Sequence, residues 1–492
     1  MTLNELVALV GGEVLGSEES DIPVTHVTED SRRVVPGTVF FAVRGEHRDG
    51  HDFAMQAVES GAVAVVGDRD TIPEGLTAPY VRTPSVRAGL GRAAHALEGD
   101  PSRALVVVGI TGTNGKSSSA VLLRHVLETA GFTAACFGTL GYAIGKETQS
   151  ALHTTPFAED LAALFRKTRD TGHSHVVMEV SSHALEQDRV AGIDFDVACF
   201  TNLTQDHLDY HADMDAYRRA KLKLFEQLEP PGRFAVVNLD DPNGRHFIDA
   251  TRVPCITYGE QGDVRAETID CGIKRTRFTA QTPWGTIPVE MGLLGRHNVA
   301  NALGVVAAAG GLGVPLAIIE AAMKASPIVP GRFEHVDAGQ PFQVIVDYAH
   351  TEDGLRNVLQ AAQAICAGRV LAVFGCGGDR DKGKRPKMAI AAAELADYAY
   401  ITSDNPRTED PERILSDIES GMRQAGKRLH DDYEMIPDRA EAIAQAIGAA
   451  RSGDVVLIAG KGHEDYQILG TGRIHFDDRE VARDVLQKRI EP

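Results

Sequence analysis

The chain has 492 residues, 43% hydrophobic and 24% charged, which is ordinary for a globular protein. At about 150 residues per domain, this length predicts roughly three domains. The formal net charge of −19 argues against sequence-independent binding to DNA or RNA, which requires clustered lysine and arginine. We therefore expect no nucleic-acid partner.

The cysteines and the N-terminus indicate the cellular compartment. No CxxC pair and no metal-type spacing occur among the cysteines, so reduced structural thiols are expected. The N-terminal segment lacks a positive region, and no apolar run reaches 18 residues. We therefore expect a cytoplasmic protein without a membrane partner. The six cysteines are Cys136, Cys199, Cys255, Cys271, Cys366 and Cys376.

Apolar strand-like runs alternate with helical stretches along the whole chain, the pattern of an α/β fold. A linker with glycine and proline at 99–102 and the segment SPIVPGR (326–332) mark two candidate boundaries. We expect an N-terminal domain over 1–101, a central domain over 102–331 and a C-terminal domain over 332–492.

The segment GITGTNGKSS (109–118) is the strongest local signal. It follows the apolar run RALVVVGI (103–110) and precedes a stretch with apolar residues at helical spacing. A glycine-rich loop between a strand and a helix binds phosphates through backbone N–H groups and the helix N-terminus. Lys116 would reach the β- and γ-phosphates, and Ser117 would ligate Mg²⁺. A glycine-rich turn without a ligand is the less favoured alternative.

Three later segments are ambiguous when taken alone. Glu179, near the end of the strand-like run at 175–181, could face Mg²⁺ or serve as a cap. The segment DHLDYH (206–211) could be a metal cluster or the polar start of a helix. YRRAKLKLF (217–225) resembles a basic amphipathic helix, on which Lys221 would be a solvated lysine.

The segment TSDNPRTEDPE (402–412) places Arg407 among four acidic residues. A strand is predicted to enter this turn, and a helix to leave it with Asp410 as N-cap and Pro411 as its first residue. Loops at the carboxyl ends of strands bind ligands in open α/β sheets, whereas exposed ion pairs contribute only about 0–1 kcal/mol. Arg407 is thus either a solvated arginine or a ligand-binding residue.

Taken together, these segments resemble the Mur ligases, ATP-dependent enzymes that form amide bonds in peptidoglycan precursor synthesis. The resemblance spans nearly the whole chain, in matching order and spacing. It lies in 30–45, TGTNGKSS, HTTP (153–156), MEVSSHALEQDRV (178–190), TNLTQDHLDYH (201–211), LLGRHNVANAL (293–303), DYAHTEDGL (347–355), GCGGDRDKGKRP (375–386), SDNPRTEDP (403–411) and AGKGHEDYQ (459–467).

The resemblance implies three domains: a uridine-substrate domain, a central P-loop ATPase domain with a mostly parallel sheet, and a Rossmann-like C-terminal domain. It implies a monomeric ligase that phosphorylates a carboxylate of UDP-N-acetylmuramoyl-L-alanyl-D-glutamate with ATP. An amino group then displaces phosphate from the acyl phosphate. Metal ions, two Mg²⁺ in this family, neutralise the crowded phosphate oxygens.

The resemblance also implies residue roles. Lys116, Glu179, His207 and Lys221 would be catalytic, with Ser117, Glu179, His207 and the carbamate of Lys221 holding Mg²⁺. The implied ATP-binding residues are Gly112, Thr113, Asn114, Gly115, Lys116, Ser117, Ser118, Asn298, Arg332 and Asp347. The implied contacts to the UDP-linked substrate are Ser31, Thr154, Thr155, Ser181, Gln187 and Arg189. Glu352 replaces a common proline of the family, so it carries no implied role.

The DNPR sequence (404–407) resembles the motif of family members that select meso-diaminopimelate over lysine. That substrate carries an extra carboxylate, which the planar guanidinium of Arg407 can bind with two hydrogen bonds. Asp404 and Asn405 would hold its ammonium group, and Pro406 would stiffen the turn. The implied diaminopimelate-binding residues are Arg380, Asp404, Asn405, Pro406, Arg407, Gly460 and Glu464.

Three alternatives compete with this interpretation. Folylpolyglutamate synthase shares the chemistry but lacks the uridine-type domain and the DNPR motif. A regulatory P-loop switch would hydrolyse ATP without a UDP-sugar peptide and an amine. A nicotinamide oxidoreductase is suggested by GCGGDRDKG after a strand, although its glycines do not follow the GxGxxG spacing.

Overall fold

The structure is a computed structural model that describes residues 1–16, 22–45, 48–272 and 274–490. Three α/β units follow one another along the chain, each built on its own sheet. The α/β class and the mostly parallel sheets of the second and third units, predicted from the sequence, are confirmed. The domain limits at 101 and 331 stay predictions.

The first unit has a five-stranded sheet in the order β1-β5-β4-β3-β2, parallel except for the β1–β5 pair. Ser31 opens a short 3₁₀ turn (Ser31–Arg33) that Asp30 caps by accepting from Arg32 N. The elements are α1 (Leu3–Val10), β1 (Glu13–Leu15), β2 (His26–Thr28), β3 (Thr38–Phe41), α2 (Ala54–Glu59), β4 (Ala62–Gly67), β5 (Tyr80–Arg82) and α3 (Val86–Leu97), with further 3₁₀ turns at Gly50–Phe53 and Pro101–Ala104.

The second unit has an eight-stranded sheet in the order β13-β12-β11-β6-β10-β7-β8-β9, antiparallel only at its last two pairs. Its strands and helices are β6 (Val106–Thr111), α4 (Lys116–Thr129), β7 (Ala134–Gly138), β8 (Gly141–Ile144), β9 (Glu147–Gln149), α5 (Ala158–Asp170), β10 (His175–Glu179), α6 (Ser182–Glu186), β11 (Val197–Phe200), α7 (Met214–Glu226), β12 (Phe234–Asn238), α8 (Gly244–Ala250), β13 (Cys255–Tyr258), α9 (Arg296–Gly311) and α10 (Leu316–Lys324).

Two hydrophobic clusters cover the two faces of this sheet, which explains why its central strands are apolar without alternation. The strand predicted to begin at residue 103 begins at Val106, because Pro101 favours a helical turn at Pro101–Ala104. An antiparallel three-stranded sheet packs into one of the clusters; it consists of β14 (Arg265–Cys271), β15 (Thr276–Thr282) and β16 (Gly285–Met291).

The third unit has a six-stranded sheet in the order β17-β18-β22-β19-β20-β21, parallel except at β17. Asp410 caps α13 and Pro411 is its first residue, as the sequence predicts. The elements are β17 (Glu334–His335), β18 (Gln343–Asp347), α11 (Glu352–Ile365), β19 (Val370–Phe374), α12 (Lys384–Leu395), β20 (Tyr398–Ile401), α13 (Pro411–Gln424), β21 (Tyr433–Met435), α14 (Arg439–Ala449), β22 (Val455–Ala459), β23 (Tyr466–Leu469), β24 (Gly472–His475) and α15 (Asp478–Ile490).

The parallel registers place the chemically interesting segments at two sheet edges. Glu179 pairs with Ile110 and Phe200 pairs with Thr111, so the loops after β6, β10 and β11 leave one edge of the second sheet. The loops after β18, β19, β20 and β22 leave one edge of the third sheet in the same way. Across the described residues, every helix is too short or too polar to traverse a lipid bilayer.

Candidate functional site

The loop between β6 and α4 has the backbone geometry of an anion site. Gly115 stands at the N-cap of α4 with φ 85°, and no side chain caps the helix. The first backbone N–H groups of α4 are thus not taken by a side-chain cap. A Cβ on Gly112 would lie 1.8 Å from Thr201 Oγ1, so the loop requires glycine there.

Lys116 folds back over this loop. Its Nζ donates to Gly112 O at 2.9 Å and to Thr113 O at 2.8 Å. Burial lowers its pKa below the ordinary lysine value. The ammonium group is therefore held at the loop by neutral acceptors alone, which a phosphate can replace.

Lys221 is buried, so the prediction of a solvated lysine is wrong. Only 1% of the residue is exposed, because this face of α7 packs against the phosphate loop. Its Nζ donates to Gly112 O at 2.9 Å and lies 4.5 Å from the centre of the Tyr217 ring. Burial, reinforced by the neighbouring Lys116, lowers the pKa of Lys221 well below the ordinary value.

Glu179 lies buried at the end of β10, next to the phosphate-loop strand. Its carboxylate accepts from Thr139 N at 2.9 Å and from Thr139 Oγ1 at 3.3 Å, and Thr139 Oγ1 lies 3.2 Å from Thr154 Oγ1. Thr155 Oγ1 donates to Glu179 O at 2.9 Å and accepts from Ser181 N at 3.0 Å. This network places Glu179 and the predicted substrate residues Thr154 and Thr155 beside the phosphate loop.

The DHLDYH segment is not the start of a helix, because it forms turns and α7 begins only at Met214. Nor do three His, Cys, Asp or Glu side chains gather anywhere in the described residues as a metal cluster. Asp206 instead contacts three cationic or titratable groups. Although burial opposes its ionisation, His207, His350 and Lys384 hold the pKa of Asp206 well below the ordinary value.

A cavity of about 420 Å³ opens beside the phosphate loop. Its lining includes six of the residues predicted to bind ATP: Asn114, Gly115, Ser118, Asn298, Arg332 and Asp347. Arg332 Nη2 donates to Ser117 Oγ at 3.0 Å, while its Nε is buried and lacks a partner within the part of the chain the structure describes. Asp347 accepts from Phe333 N and Ala349 N, both at 2.7 Å.

A second cavity, of about 560 Å³, lies on the first unit and includes Ser31 and Phe157 in its lining. Arg189 stacks over the Phe157 ring at 4.2 Å and donates to Thr155 O at 3.0 Å. Gln187 Oε1 accepts from Arg189 Nε at 2.9 Å. Phe157 thus links the Ser31 cavity to the Arg189 network, which continues through Thr155 to Glu179.

Arg407 is held in its turn by contacts from two other loops. Its backbone has φ 52°, in the left-handed region that non-glycine residues rarely adopt. The hydrogen bond from Arg407 N to Ile468 O, at 3.1 Å, ties it to β23. Its Nη1 donates to Gly378 O at 2.7 Å and to Asn405 O at 3.4 Å. Nε and Nη2 make no hydrogen bond with any described residue.

The acidic neighbours of Arg407 have other partners. Glu409 accepts from Arg385 Nη2 at 2.9 Å, from Arg385 Nη1 at 3.1 Å and from Asp379 N at 2.6 Å. Asp410 caps α13. Glu409 therefore joins the loop after β19 to the loop after β20, and Arg407 is left for another partner.

The remaining predicted residues of this region form a buried polar cluster. Asn405 Nδ2 donates to Glu464 Oε2 at 2.9 Å, and Asn405 Oδ1 accepts from Ile468 N at 3.0 Å. Gly460 has φ 122°, and a Cβ there would lie 3.4 Å from Asp404 Oδ2. Arg380 lies apart from this cluster, with its Nη1 3.5 Å from Asp209 Oδ2.

Sequence reasoning missed two charged residues of this cluster. Lys461 is fully buried beside Asn405 and Glu464, and buried Arg439 donates to Ser403 O at 3.3 Å and to Ala459 O at 3.0 Å. Lys461 had a sequence signal, since a lysine right after the buried strand β22 is unusual. Arg439 had no such signal, because it lies on α14, about 20 residues before Lys461 in the sequence.

The two sheet edges face each other across the cavity. Asn114 Nδ2 donates to Asp353 Oδ2 at 2.9 Å, and Gln205 Nε2 donates to Asp381 Oδ2 at 3.2 Å. The Arg332–Ser117 and Arg380–Asp209 contacts cross the same cleft. The phosphate loop and the Arg407 turn thus belong to loop layers that are in contact.

Comparison with known protein families accounts for most of the chain. Three family models match it in sequence order. They are the Mur ligase family catalytic domain over residues 23–97, the Mur ligase middle domain over 110–309, and the Mur ligase glutamate ligase domain over 331–462.

Two similar proteins carry the same printed name, UDP-N-acetylmuramoyl-L-alanyl-D-glutamate–2,6-diaminopimelate ligase. The one from Geobacillus thermodenitrificans is 49% identical over 467 residues, 94% of each chain. The one from Geobacter metallireducens is 46% identical over 499 aligned positions, covering 98% of this chain and 97% of its own.

Solved structures agree on the fold. A structure with that same printed name superimposes with a TM-score of 0.71 at 31% identity, covering 100% of both chains. Mycobacterium tuberculosis folylpolyglutamate synthase gives a TM-score of 0.65 at 18% identity, covering 83% of this chain and 96% of its own, which indicates a shared fold alone. The relatives at 46–49% identity over nearly the whole length decide the matter: this chain belongs to the Mur ligase family.

Proposed function

We propose that this chain is an ATP-dependent ligase that joins meso-diaminopimelate to UDP-N-acetylmuramoyl-L-alanyl-D-glutamate in peptidoglycan precursor synthesis. One structural observation carries the proposal: the phosphate loop lies on one of two contacting loop layers, and Arg407, whose Nε and Nη2 make no hydrogen bond with the described residues, lies on the other. Such a cleft can hold a nucleotide on one side and an amino acid on the other.

The cavity beside the phosphate loop supports ATP as the nucleotide. Its volume of about 420 Å³ suits a nucleoside, and its rim reaches the loop backbone at Asn114 and Gly115. Arg332 reaches this loop from the third unit and carries an unpartnered Nε among the described residues. We propose that Arg332 contacts a phosphate, while Asn298 and Asp347 contact the base and the ribose.

The donor set near the loop fits Mg²⁺ in part. Mg²⁺ prefers oxygen ligands and keeps several waters, and Ser117 Oγ and the Glu179 carboxylate are oxygen donors at the edge where phosphates would lie. His207 supplies a nitrogen from the adjoining turn. When bound, Mg²⁺ would neutralise the phosphate oxygens during transfer. Ser117, Glu179 and His207 would hold it, and Lys116 would orient the phosphates.

Lys221 can fit this scheme only after modification, because a protonated amine does not ligate a metal. Its burial favours the neutral amine, which is the form that reacts with CO₂. The resulting carbamate would carry a negative charge beside Lys116. We propose this carbamate as a ligand of a second Mg²⁺.

The UDP-linked substrate would span the first two units. The cavity of about 560 Å³ contains Ser31, and the Arg189 network leads from it towards Glu179. We propose that Ser31 contacts the uridine part and that Thr154, Thr155, Ser181, Gln187 and Arg189 contact the rest of that substrate. The domain limits 1–101, 102–331 and 332–492 belong to this proposal.

The reaction then follows from the placement of the groups. A substrate carboxylate oxygen attacks the γ-phosphorus and ADP leaves, which makes the carbonyl carbon a good electrophile. The diaminopimelate amino nitrogen attacks that carbon, loses a proton and expels phosphate. Arg407 would bind the far carboxylate of diaminopimelate, which lysine lacks, through Nε and Nη2.

The first experiment measures phosphate release with ATP, Mg²⁺ and the UDP-linked dipeptide, with either meso-diaminopimelate or L-lysine added. We expect release that depends on diaminopimelate and is far slower with lysine. Equal rates with both would retain the ligase but remove the role of Arg407. Release without either amino acid would indicate an ATPase switch. Monomeric state and cytoplasmic location, also proposed, are tested by light scattering and cell fractionation.

A further inference from the structure

Lys461 is a buried lysine at the carboxyl end of β22, outside every role proposed above. Its side chain has 0% exposure. Its Nζ donates to Glu464 Oε2 at 3.0 Å and to Asn405 Oδ1 at 3.3 Å, and it lies 3.8 Å from Asp404 Oδ1. Burying an ammonium group costs several kcal/mol of folding free energy unless the group is paired. These contacts therefore hold Lys461 in its position.

The charges in this cluster do not balance. Asp404 and Glu464 contribute two carboxylates, whereas Lys461 contributes one ammonium. Arg439 does not restore neutrality, because its Nε and Nη2 each donate to Asp478 at 2.7 Å, and both side chains are fully buried. One negative charge is therefore left over in this cluster.

The surplus charge has a defined position. Asp404 Oδ1 is buried and accepts no hydrogen bond from the described residues. A buried, unsatisfied carboxylate oxygen costs free energy that a cationic donor would recover. Glu464 is held in place, since Lys461 Nζ and Asn405 Nδ2 both donate to its Oε2.

The Asn405 side chain is likewise held by hydrogen bonds. Its Oδ1 accepts from Ile468 N and Lys461 Nζ, which occupies both lone pairs. Its backbone oxygen accepts from Arg407 Nη1. Lys461 thus orients Asn405 and Glu464 next to the arginine proposed to bind the far carboxylate.

We propose that Lys461 is a positioning residue that leaves the amino-acid site with one net negative charge. The site then accepts the ammonium group of diaminopimelate, next to the substrate carboxylate that Arg407 binds. The inference rests on the proposed function and deepens it. Lys461 orders Glu464 and Asn405 and contacts no substrate itself. Asp404 Oδ1 and Glu464 receive the ammonium group.

The test uses the full chain with Lys461→Met, which removes the charge at similar length. Because Glu464 and Asn405 lose the donor that orders them, we expect the KM for diaminopimelate to rise at least tenfold, with the KM for ATP and for the UDP-linked dipeptide within twofold. The matched control is Arg369→Met, which removes the ion pair at 2.7 Å with buried Asp454, just before the start of β22. It should destabilise the same sheet and leave the diaminopimelate KM within twofold.

Two results would overturn the proposal: an unchanged diaminopimelate KM in Lys461→Met, or a parallel rise in all three KM values. If Lys461→Met does not fold, the double variant Lys461→Met/Glu464→Gln is compared with Glu464→Gln alone. The double variant regains the one net negative charge that Glu464→Gln alone loses, so its diaminopimelate KM should not exceed that of the single variant. A larger loss would contradict the charge count.

Failure of the proposed function has a separate signature. If the unmodified protein releases no phosphate in response to diaminopimelate, the ligase assignment fails before any variant is made. If the unmodified protein does release phosphate in response to diaminopimelate, and Lys461→Met behaves in the same way, only the role of Lys461 fails.

Discussion

The phosphate loop and the Arg407 turn are both strand-end loops, yet they are built differently. Lys116 contacts Gly112 and Thr113, four and three residues away. In the Arg407 turn, Asn405 contacts Glu464 at a separation of 59 residues, and Gln467 donates to Asp404 O at a separation of 63. An anion site made of backbone is local, whereas a site made of side chains depends on tertiary structure.

The two regions also differ in charge. Lys116 donates to the Gly112 carbonyl and Arg332 donates to a hydroxyl, so these two cations are held by neutral acceptors. In the buried polar cluster around Asn405, the carboxylates of Asp404 and Glu464 lie on either side of Lys461. Each region carries the charge opposite to that of the group proposed to bind there, phosphate in the first and the ammonium group of diaminopimelate in the second, as electrostatic complementarity requires.

The largest effect is expected for Lys221→Ala in the nucleotide region. Loss of the carbamate ligand should lower kcat at least 1000-fold, on the order of a lost metal site, and short carboxylic acids should restore part of the activity. Steady-state phosphate release measures both. The control is Lys223→Ala on the same helix, whose side chain is 35% exposed and should leave turnover within twofold. Unchanged turnover in Lys221→Ala would remove the carbamate from the proposal.

Arg407→Lys tests the amino-acid region alone. Lysine keeps the charge but loses the planar pair of donors, so we expect the diaminopimelate KM to rise roughly 30-fold, about 2 kcal/mol. The ATP KM should change less than twofold. Arg413→Lys, at an exposed position of α13, is the control. An equal rise in both KM values would show that the variant disturbs the whole cleft.

Glu409→Gln tests the hydrogen bonds through which Glu409 joins the loop after β19 to the Arg407 turn. Arg385 and the backbone N–H of Asp379 lower the pKa of Glu409 to about 2. Because the folded-state pKa lies below the ordinary value of 4.5, its contribution to stability is present above pH 4.5 and is lost as the pH falls towards 2.

The variant should therefore be less stable by about 1–2 kcal/mol at pH 7, allowing for solvent screening of the pair. The difference should shrink as the pH falls below 4.5. Urea unfolding at pH 7 and pH 4 measures this difference. Exposed Glu412→Gln is the control, and a pH-independent difference would contradict the assignment of the shift to Glu409.

Glu352→Pro should have the smallest effect. Glu352 is the first residue of α11, where proline is tolerated because its missing N–H has no helical partner. The change removes the Glu352–Arg356 pair at 3.0 Å, but Arg356 retains Glu394 at 2.8 Å. We expect a loss below about 0.5 kcal/mol and unchanged KM values. A drop in the thermal midpoint of the C-terminal domain of more than 5 °C, roughly 2 kcal/mol for a domain of about 160 residues, would contradict it.

The sequence by itself determined the features that depend on near neighbours along the chain. Glycines at 112 and 115 between an apolar strand and a helix defined the phosphate loop, and Asp410 with Pro411 defined the start of α13. Family resemblance added the order of the motifs. These features can be predicted from the sequence because backbone geometry and helix caps involve residues only a few positions apart.

The tertiary structure alone decided the state of the charged side chains. Lys221 and Lys223 lie two residues apart in one basic helix, and only packing against the phosphate loop buries the first. Glu409 and Arg407 lie two residues apart, but Arg385 takes the carboxylate, and Nε and Nη2 of Arg407 make no hydrogen bond with the described residues. Burial and ion pairing depend on distance in space, so a charge acquires its role only after the sheets have brought distant loops together.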